Sequence, residues 1–597
     1  MKKQDKKKQS SKQSSRKRWL PVVGIVVVVV VVLLWALVLR TPGNVREYQE
    51  KAALLKEQAL AADVVETLGD SPAGSAGYAV FLSVCDGSSR ANVYSGTGST
   101  PENAWKSANH AAEAALKKSH LQPRWVKADV VCETTPVPTW ELKSRIYASR
   151  HEFFRYGLAF DENFDPALLE AEMNGAKIYE YDQGGVDLKY LNTYLKKSDR
   201  PQLDSLPDEY YLFTCKGWFC DEDGTVYRLI DEGLDYGHRE VDLVDAEYAE
   251  WLLENATSFL LEQVNEDGSF VYGIYPRFDN DIDNYNIVRH ASTIWSLIIR
   301  YRMSPDPELQ RTIESTLDYL LNYVIYADEN TAYLYEEKAD EIKLGGCGVA
   351  VIAMTEYMDV FQNDRYADVC RALGNGILTM MDPNTGTYVH VLNGDFSLKE
   401  EMRTVYYDGE ATFALCRLYG LTGDQRWLNA ACAAADHFIA ADYAQYKDHW
   451  VAYAMNELTM YVPDRTDYYA FGLKNAQDNL EAIAQRDTTY HTYLELLMVT
   501  FELYDRMVEN GISADNFDLP MFLQTIYTRV NRQLNGFFYP EYAMYMANPD
   551  RILYTFMVRH DGYRVRIDDV QHNIDGYYLY WKNYDKLVEY GLLDYID

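Results

Sequence analysis

Residues 351–378, VIAMTEYMDVFQNDRYADVCRALGNGIL, and residues 412–439, TFALCRLYGLTGDQRWLNAACAAADHFI, align without a gap at an offset of 61. Each opens as an apolar run, turns at a polar loop carrying Asp364 or Asp424, and continues with apolar residues every three to four positions. A segment apolar on all sides predicts a helix buried all round, whereas a 3.6-residue period predicts a helix buried on one face. Residues 292–321, STIWSLIIRYRMSPDPELQRTIESTLDYLL, follow the same plan. The repeating unit is a helical hairpin.

Outward from these units the pattern covers residues 244–597. Amphipathic helices are expected near 246–264, 306–327, 364–381, 424–441, 469–485 and 515–533, and more apolar ones near 287–302, 345–361, 408–420, 449–460, 490–507 and 572–588. Six alternating with six is what a two-layered ring requires, the apolar helices inside and the amphipathic ones outside. The plan resembles the (α/α)6 toroid of six-hairpin glycosidases, unsaturated glucuronyl hydrolases and sugar 2-epimerases, with no one family singled out. The resemblance implies inner helices that run in one direction, so that their N-termini surround a funnel.

The six inner starts are YNIVRH (285–290), EIKLGG (341–346), YYDGE (406–410), KDHW (447–450), RDTTYH (486–491) and DDVQHN (568–573). All are polar, and His290, His449, His491 and His572 fall in them; His390 lies in a loop leading towards one. Glycoside hydrolysis needs two carboxyl groups across the scissile bond. Asp408 and Asp448, on separate inner helices, are the favoured pair, and Asp408 with Glu410 is the other available one. Asp408, Asp448, Asp487 and Asp569 also suit helix caps. His290, with His572, is the candidate base for sugar epimerisation, because an imidazole titrates near working pH. Arg289, Lys343, Tyr406, Tyr407, His449, Trp450, Arg486, His491 and His572 are candidate substrate-binding residues: aromatic faces cover sugar C–H groups, and phenols, indoles and cations bind sugar oxygens.

No zinc-binding C-x-x-C pair or H-E-x-x-H occurs, and no metal or cofactor is expected. DNDIDNYN (279–286) alternates acids as a calcium loop does, but Asn284 stands at the glycine position and His290 at the final glutamate position. Calcium is therefore only a weak expectation.

The N-terminal part is different. Residues 1–18 carry nine Lys or Arg against one Asp, and residues 19–39, WLPVVGIVVVVVVVLLWALVL, carry no charge. As a helix the apolar run would reach roughly 31 Å, a hydrocarbon thickness. It is too long for a signal-peptide core and is followed by no A-x-A-like cleavage site. A cytoplasmic basic tail, a single-pass anchor and an extracytoplasmic remainder are expected. Residues 41–74 read as a stalk helix and linker, and 75–240 as an α+β domain whose helix begins with Thr100, Pro101 and Glu102 in cap order. Cys215 with Cys220, and Cys85 with Cys132, are candidate disulfides.

The residues after Arg40 hold 47 basic and 89 acidic side chains, a net charge of −42. Such a surface repels a phosphodiester backbone and excludes nucleic acid as a partner. The fold class expected is mainly α: a transmembrane helix, a small α+β domain and a toroid. The expected function is a membrane-anchored extracytoplasmic glycoside hydrolase or lyase-like enzyme acting on an envelope or extracellular glycan. The alternatives are a non-catalytic glycan-binding or polymer-assembly factor and, second, a sugar epimerase.

Overall fold

The computed structural model describes residues 42–149, 153–180, 184–514 and 516–595. The basic tail at 1–18 and the anchor at 19–39 lie outside the described residues.

The first helix, α1 (Gly43–Ala59), buries Val45, Tyr48, Ala52, Leu55 and Ala59. That spacing forms one stripe along the helix, and the stripe packs on two sheet strands. Lys51 fastens it by donating to the carbonyls of Arg124 at 2.6 Å and Asp221 at 2.7 Å. The expected stalk is thus corrected: α1 belongs to the α+β unit, because its apolar face is covered.

That unit is an antiparallel sheet built on β1 (Tyr78–Cys85), β2 (Asn92–Gly98), β3 (Trp125–Pro138), β4 (Gly157–Ala159), β5 (Ala167–Leu168), β6 (Glu209–Cys220) and β7 (Val226–Arg228). Its order is β2-β1-β3-β6-β4-β5, with β7 beside β6. Helices α1 and α2 (Pro101–Leu116) cover one face. In β1 the alternation of the pleat is legible, since Val80, Leu82 and Val84 enter that core while Ala79, Phe81 and Cys85 enter the opposite one. The opposite core contains Met544 and Tyr545 of the helical half, and Ser83 and Tyr545 hydroxyls meet at 2.8 Å. Sheet and helices are therefore packed together.

All eight cysteines are free. Cys215 and Cys220 lie on one continuous strand, β6, so five extended residues separate them by about 16 Å. Cys85 pairs in register with Trp125, seven positions before Cys132 on β3, which places the second proposed pair beyond bonding distance as well.

In the helical half, twelve helices among the described residues make the two layers. The outer ones are α3 (Ala246–Glu262), α5 (Pro307–Leu320), α7 (Ala367–Thr379), α9 (Gln425–Ala440), α11 (Thr466–Gln477) and α13 (Leu519–Gln533). The inner ones are α4 (Ile287–Met303), α6 (Leu344–Phe361), α8 (Tyr406–Thr422), α10 (His449–Tyr461), α12 (Thr492–Glu509) and α14 (Ile567–Glu589). Each inner helix packs on the next and α14 packs back on α4, so the ring closes; each also packs on one or two outer helices. The fold is an (α/α)6 toroid.

Burial follows the sequence pattern. In α6 every residue from Leu344 to Met358 is buried, whereas α5 buries Leu309, Ile313, Thr316, Leu317 and Leu320, a single stripe. Among the described residues α6 is the one helix long and apolar enough to cross a membrane, and its burial inside the ring accounts for that composition. Gly423, at φ 65°, ends α8 in the left-handed conformation that lets the chain turn into α9. Short strands at 273–281, 324–343, 391–400 and 565–566 form two small sheets at the inner-helix starts.

Candidate active site

A cavity of about 520 Å³ opens where the inner helices begin. Tyr406, Tyr407 and Glu410 reach it from the first turns of α8, Arg289 from α4, Trp450 from α10, and Asp568 and His572 from α14. His449 and His491, at the starts of α10 and α12, also line it, so eight of the thirteen candidate residues meet in one place. Trp295, Phe413 and Tyr453 pack around Trp450 as an aromatic floor, with ring centroids 5.3–6.4 Å apart. The Tyr406 and Tyr490 hydroxyls meet at 3.2 Å on the wall.

Glu410 is 6 % exposed, and its Oε2 has no hydrogen-bond partner among the described residues. Burial, and then the nearby Asp448 carboxyl, hold it well above the usual carboxylate range, against the pull of Arg289. Its surroundings favour the protonated form. Its place depends on Gly345 of α6, where an added Cβ would overlap Glu410 Oε2 and the Tyr407 ring. A glycine is required there by close approach, not by backbone conformation.

His572 is the group matched to proton transfer. Its Nδ1 shares a 2.7 Å hydrogen bond with Glu495, which itself accepts from Tyr453 at 3.1 Å. Burial disfavours the imidazolium, yet the Glu495 carboxylate overrides it and holds His572 above the ordinary histidine value. Nε2 has no protein partner among the described residues. His491 stacks on His572 with ring centroids 4.9 Å apart, and His449 stands edge-on to His572 at 5.1 Å. Burial first, and the neighbouring imidazole next, push His491 down to about 3 and His449 well below its ordinary value. Two imidazoles whose protonation burial disfavours thus flank one whose protonation Glu495 favours.

Arg289 donates from Nε to Asp568 at 2.7 Å and from Nη1 to the Tyr272 hydroxyl. Arg566 also holds Asp568, at 3.0 Å. Both guanidinium groups bind Asp568 Oδ2, and Oδ1 has no partner among the described residues.

Five candidates lie elsewhere. Asp408 is 3 % exposed and turns away from the cavity, accepting from Tyr443 at 2.8 Å and from His390 Nε2 at 2.9 Å. His390 Nδ1 accepts the Arg403 backbone N–H, which leaves its proton on Nε2. Asp448 is fully buried as the cap of α10, accepting the Trp450 N–H at 2.9 Å, and burial raises it well above the carboxylate range. The favoured carboxyl pair is thereby corrected. His290 faces the outer layer: Nδ1 meets the Tyr285 hydroxyl at 2.7 Å, Nε2 the Thr316 carbonyl at 2.9 Å, and burial lowers it to about 4. Lys343 is bound to Glu336 and Glu341, and Arg486 lies over the back of Tyr490. Asp487 lies in the loop before α12, and Asp569 is held by Arg564 and Arg566. The alternating acids of 279–286 also have a partner, since Arg551 pairs with both Asp279 and Asp281.

Glu495, Asp568, Tyr490 and Arg403 were not singled out in the sequence. A signal existed for two of them: Glu495 follows His491 by four positions and Asp568 precedes His572 by four, the spacing that shares a helix face.

His449, Glu495 and His572 bring potential ligand atoms within 4.8 Å of one another. Two ligands on one tetrahedral ion at about 2.0–2.1 Å stand roughly 3.3 Å apart. The 2.7 Å contact of His572 with Glu495 is instead a hydrogen bond.

No family model and no curated protein matches the chain. Among solved structures it is similar to cellobiose 2-epimerase from Bacillus thermoamylovorans, with 12% identity over 56% of this chain and 99% of that one and a TM-score of 0.45. It is also similar to the unsaturated glucuronyl hydrolase from Bacillus sp. GL1 (11%, 56% and 96%, 0.42) and to a D-mannose isomerase (11%, 56% and 97%, 0.43). All three are members of the six-hairpin glycosidase superfamily. The likenesses are distant, and the chemistry of the cavity is derived from its own residues.

Proposed function

We propose that the cavity is the acid–base active site of a carbohydrate-processing enzyme that moves a proton at a sugar carbon, the step shared by epimerisation and β-elimination. The observation that carries this reading is His572: braced by Glu495 at 2.7 Å, with Nε2 unpaired among the described residues, lining the cavity, and made more basic by the carboxylate. His572 takes the proton from a carbon next to a carbonyl or carboxyl group, and the electron pair moves onto that group's oxygen. Glu410, neutral, donates a hydrogen bond to the oxygen as charge develops. A solvent proton added to the other face, with the His572 proton released to solvent, gives an epimer; transfer of the His572 proton to a substituent oxygen as it leaves the next carbon gives an unsaturated sugar and an alcohol. Glu495 orients the imidazole and is a positioning residue.

Hydrolysis is the second reading, favoured by the protonated Glu410 on the cavity wall. Its second carboxyl would be Asp568, whose Oδ2 accepts from Arg289 and Arg566 while Oδ1 has no partner among the described residues; Asp408 and Asp448 are bonded elsewhere. The residue types therefore support proton transfer above hydrolysis. The uncharged run at 19–39 and the basic residues before it support an anchored protein whose catalytic half is extracytoplasmic, acting on an envelope or extracellular glycan.

The test is incubation with a panel of mono- and oligosaccharides in D2O. Deuterium at a sugar carbon without chain cleavage is the expected result, with ultraviolet absorbance of a new double bond marking elimination. Release of reducing ends without exchange would transfer the mechanism to Glu410. Binding with neither outcome would make the chain a glycan-binding or assembly factor.

A further inference from the structure

A second and larger cavity, about 730 Å³, lies at the junction of the sheet and the helical ring and shares no lining residue with the first. Its size is that of a ligand pocket. Trp251 and Tyr248 of α3 and Tyr554 of the segment between α13 and α14 supply aromatic walls. Trp251 meets Tyr248 and Tyr554 with ring centroids at 5.5 and 5.4 Å, so the rings brace one another. Tyr554 is held at φ 58°, a conformation disfavoured for a bulky side chain.

Trp125 lines the same cavity from the first residue of β3. The residue is 1 % exposed, with the Arg124 guanidinium over its ring at 4.5 Å, and no described residue accepts its indole N–H. A ligand that displaces water from the cavity loses affinity unless it accepts from that N–H. Around the lip stand Glu240, Asp242 and Glu247, exposed carboxylates that can only accept.

We propose that this junction cavity is a second saccharide-binding site, which holds part of a glycan away from the reacting unit. The ligand class follows from the complement of groups. A sugar hydroxyl both accepts and donates, so it satisfies the Trp125 N–H on one side and a lip carboxylate on the other. The C–H faces of a pyranose match the Trp251 and Tyr554 rings. An organic cation would suit the carboxylates and the rings, but would leave the indole N–H unpaired. The site gives the sheet domain a role, because Trp125 comes from the sheet and Trp251 from the ring. The inference rests on the proposed function for the glycan being a substrate and uses none of that site's residues.

The experiment is calorimetric titration of the full chain, carrying His572→Gln to suppress turnover, with linear gluco-, manno-, N-acetylglucosamine and uronate oligosaccharides, and with spermidine. Oligosaccharide binding that quenches tryptophan emission, and that Trp251→Ala weakens at least 10-fold, is expected. Trp251→Phe guards against a folding defect and should lose less. In the chain with His572 intact, Trp251→Ala should leave kcat on the shortest substrate unchanged while raising KM on long ones. Binding of spermidine alone, no binding of any saccharide, or saccharide binding indifferent to Trp251→Ala overturns the proposal. Loss of the second site with deuterium exchange retained leaves the active-site reading intact. Exchange lost with Trp251-dependent binding retained does the reverse.

Discussion

The starts of α8 and α14 stand opposite each other in the six-membered ring, and each carries two carboxyl groups. On α8, Glu410 turns into the cavity with no cation bonded to it, while Asp408 turns outward onto His390 and Tyr443. On α14, Asp568 and Asp569 are both held by guanidinium groups, from Arg289, Arg564 and Arg566. A buried carboxyl without a cation keeps its proton and becomes an acid, and one given two arginines becomes a strut. The cavity consequently pairs Glu410 with Asp568, whose Oδ2 is tied to two arginines and whose Oδ1 is left without a partner among the described residues. An imidazole braced by a carboxylate is the better-placed base, and α14 supplies it one turn further on, at His572.

The largest expected effect comes from removing that imidazole. His572→Gln should lower kcat by about 10²–10⁴, the range of a general base, with substrate binding retained. Glu495→Gln should cost less and move the pH profile. Because Glu495 raises His572, deprotonated base accumulates only above the ordinary histidine value of about 6.5, and kcat/KM should climb through that raised pKa. Without the carboxylate the climb should move to lower pH. A profile unchanged in Glu495→Gln would remove His572 from the role.

Glu410→Gln tests the other wall. The amide still donates a hydrogen bond, so proton transfer should fall by only about tenfold, whereas a hydrolase deprived of its acid should fall by about 10²–10⁴. Chain cleavage that collapses in this variant would put the hydrolytic reading first. Gly345→Ala approaches the same group from α6. The added methyl needs the space of Glu410 Oε2, and overpacking of about 1–3 kcal/mol, with reduced turnover, should be read from denaturant unfolding and rate together.

The contrast within α8 also explains what could be read in advance. Twelve helix positions were legible because burial on all sides or on one stripe is written directly in apolar spacing. Which polar residue of an inner start faces the axis was less legible, since that depends on where the helix begins. With α8 starting at Tyr406, Glu410 lies four residues on and shares its face, while Asp408, about 200° round from Glu410, points the other way. The same spacing joins His491 to Glu495 and Asp568 to His572. His290 was misread because it follows Arg289 directly, and successive helical residues diverge by about 100°. The helix at 43–59 looked like a stalk because its partner strands come later in the chain.

Asp408→Asn should therefore leave turnover nearly intact. It keeps one acceptor for His390 or Tyr443 and loses a charge-assisted bond, a stability cost of about 1–3 kcal/mol measured by denaturant midpoint. Abolished activity with the fold preserved would mean that the outward carboxylate reaches the chemistry through His390.

The smallest effect is on stability against pH, where the three imidazoles should pull in opposite directions. His491 is depressed to about 3 in the folded chain. The unfolded chain binds its proton at about 6.5, so the contribution is fully present above that pH and is lost as pH falls towards the folded value. His449, also depressed, has the same sign. His572 is raised, so its contribution is fully present below about 6.5 and is lost as pH rises through its folded pKa. Between about pH 6.5 and 5, before carboxylates take over, the two depressed imidazoles should dominate and Tm should fall. His491→Gln should flatten that fall by on the order of 1–2 °C, while Glu495→Gln should weaken the loss on the alkaline side. An acid slope unaltered by His491→Gln would mean that the imidazole is solvated in the folded protein and is not held neutral against the cavity.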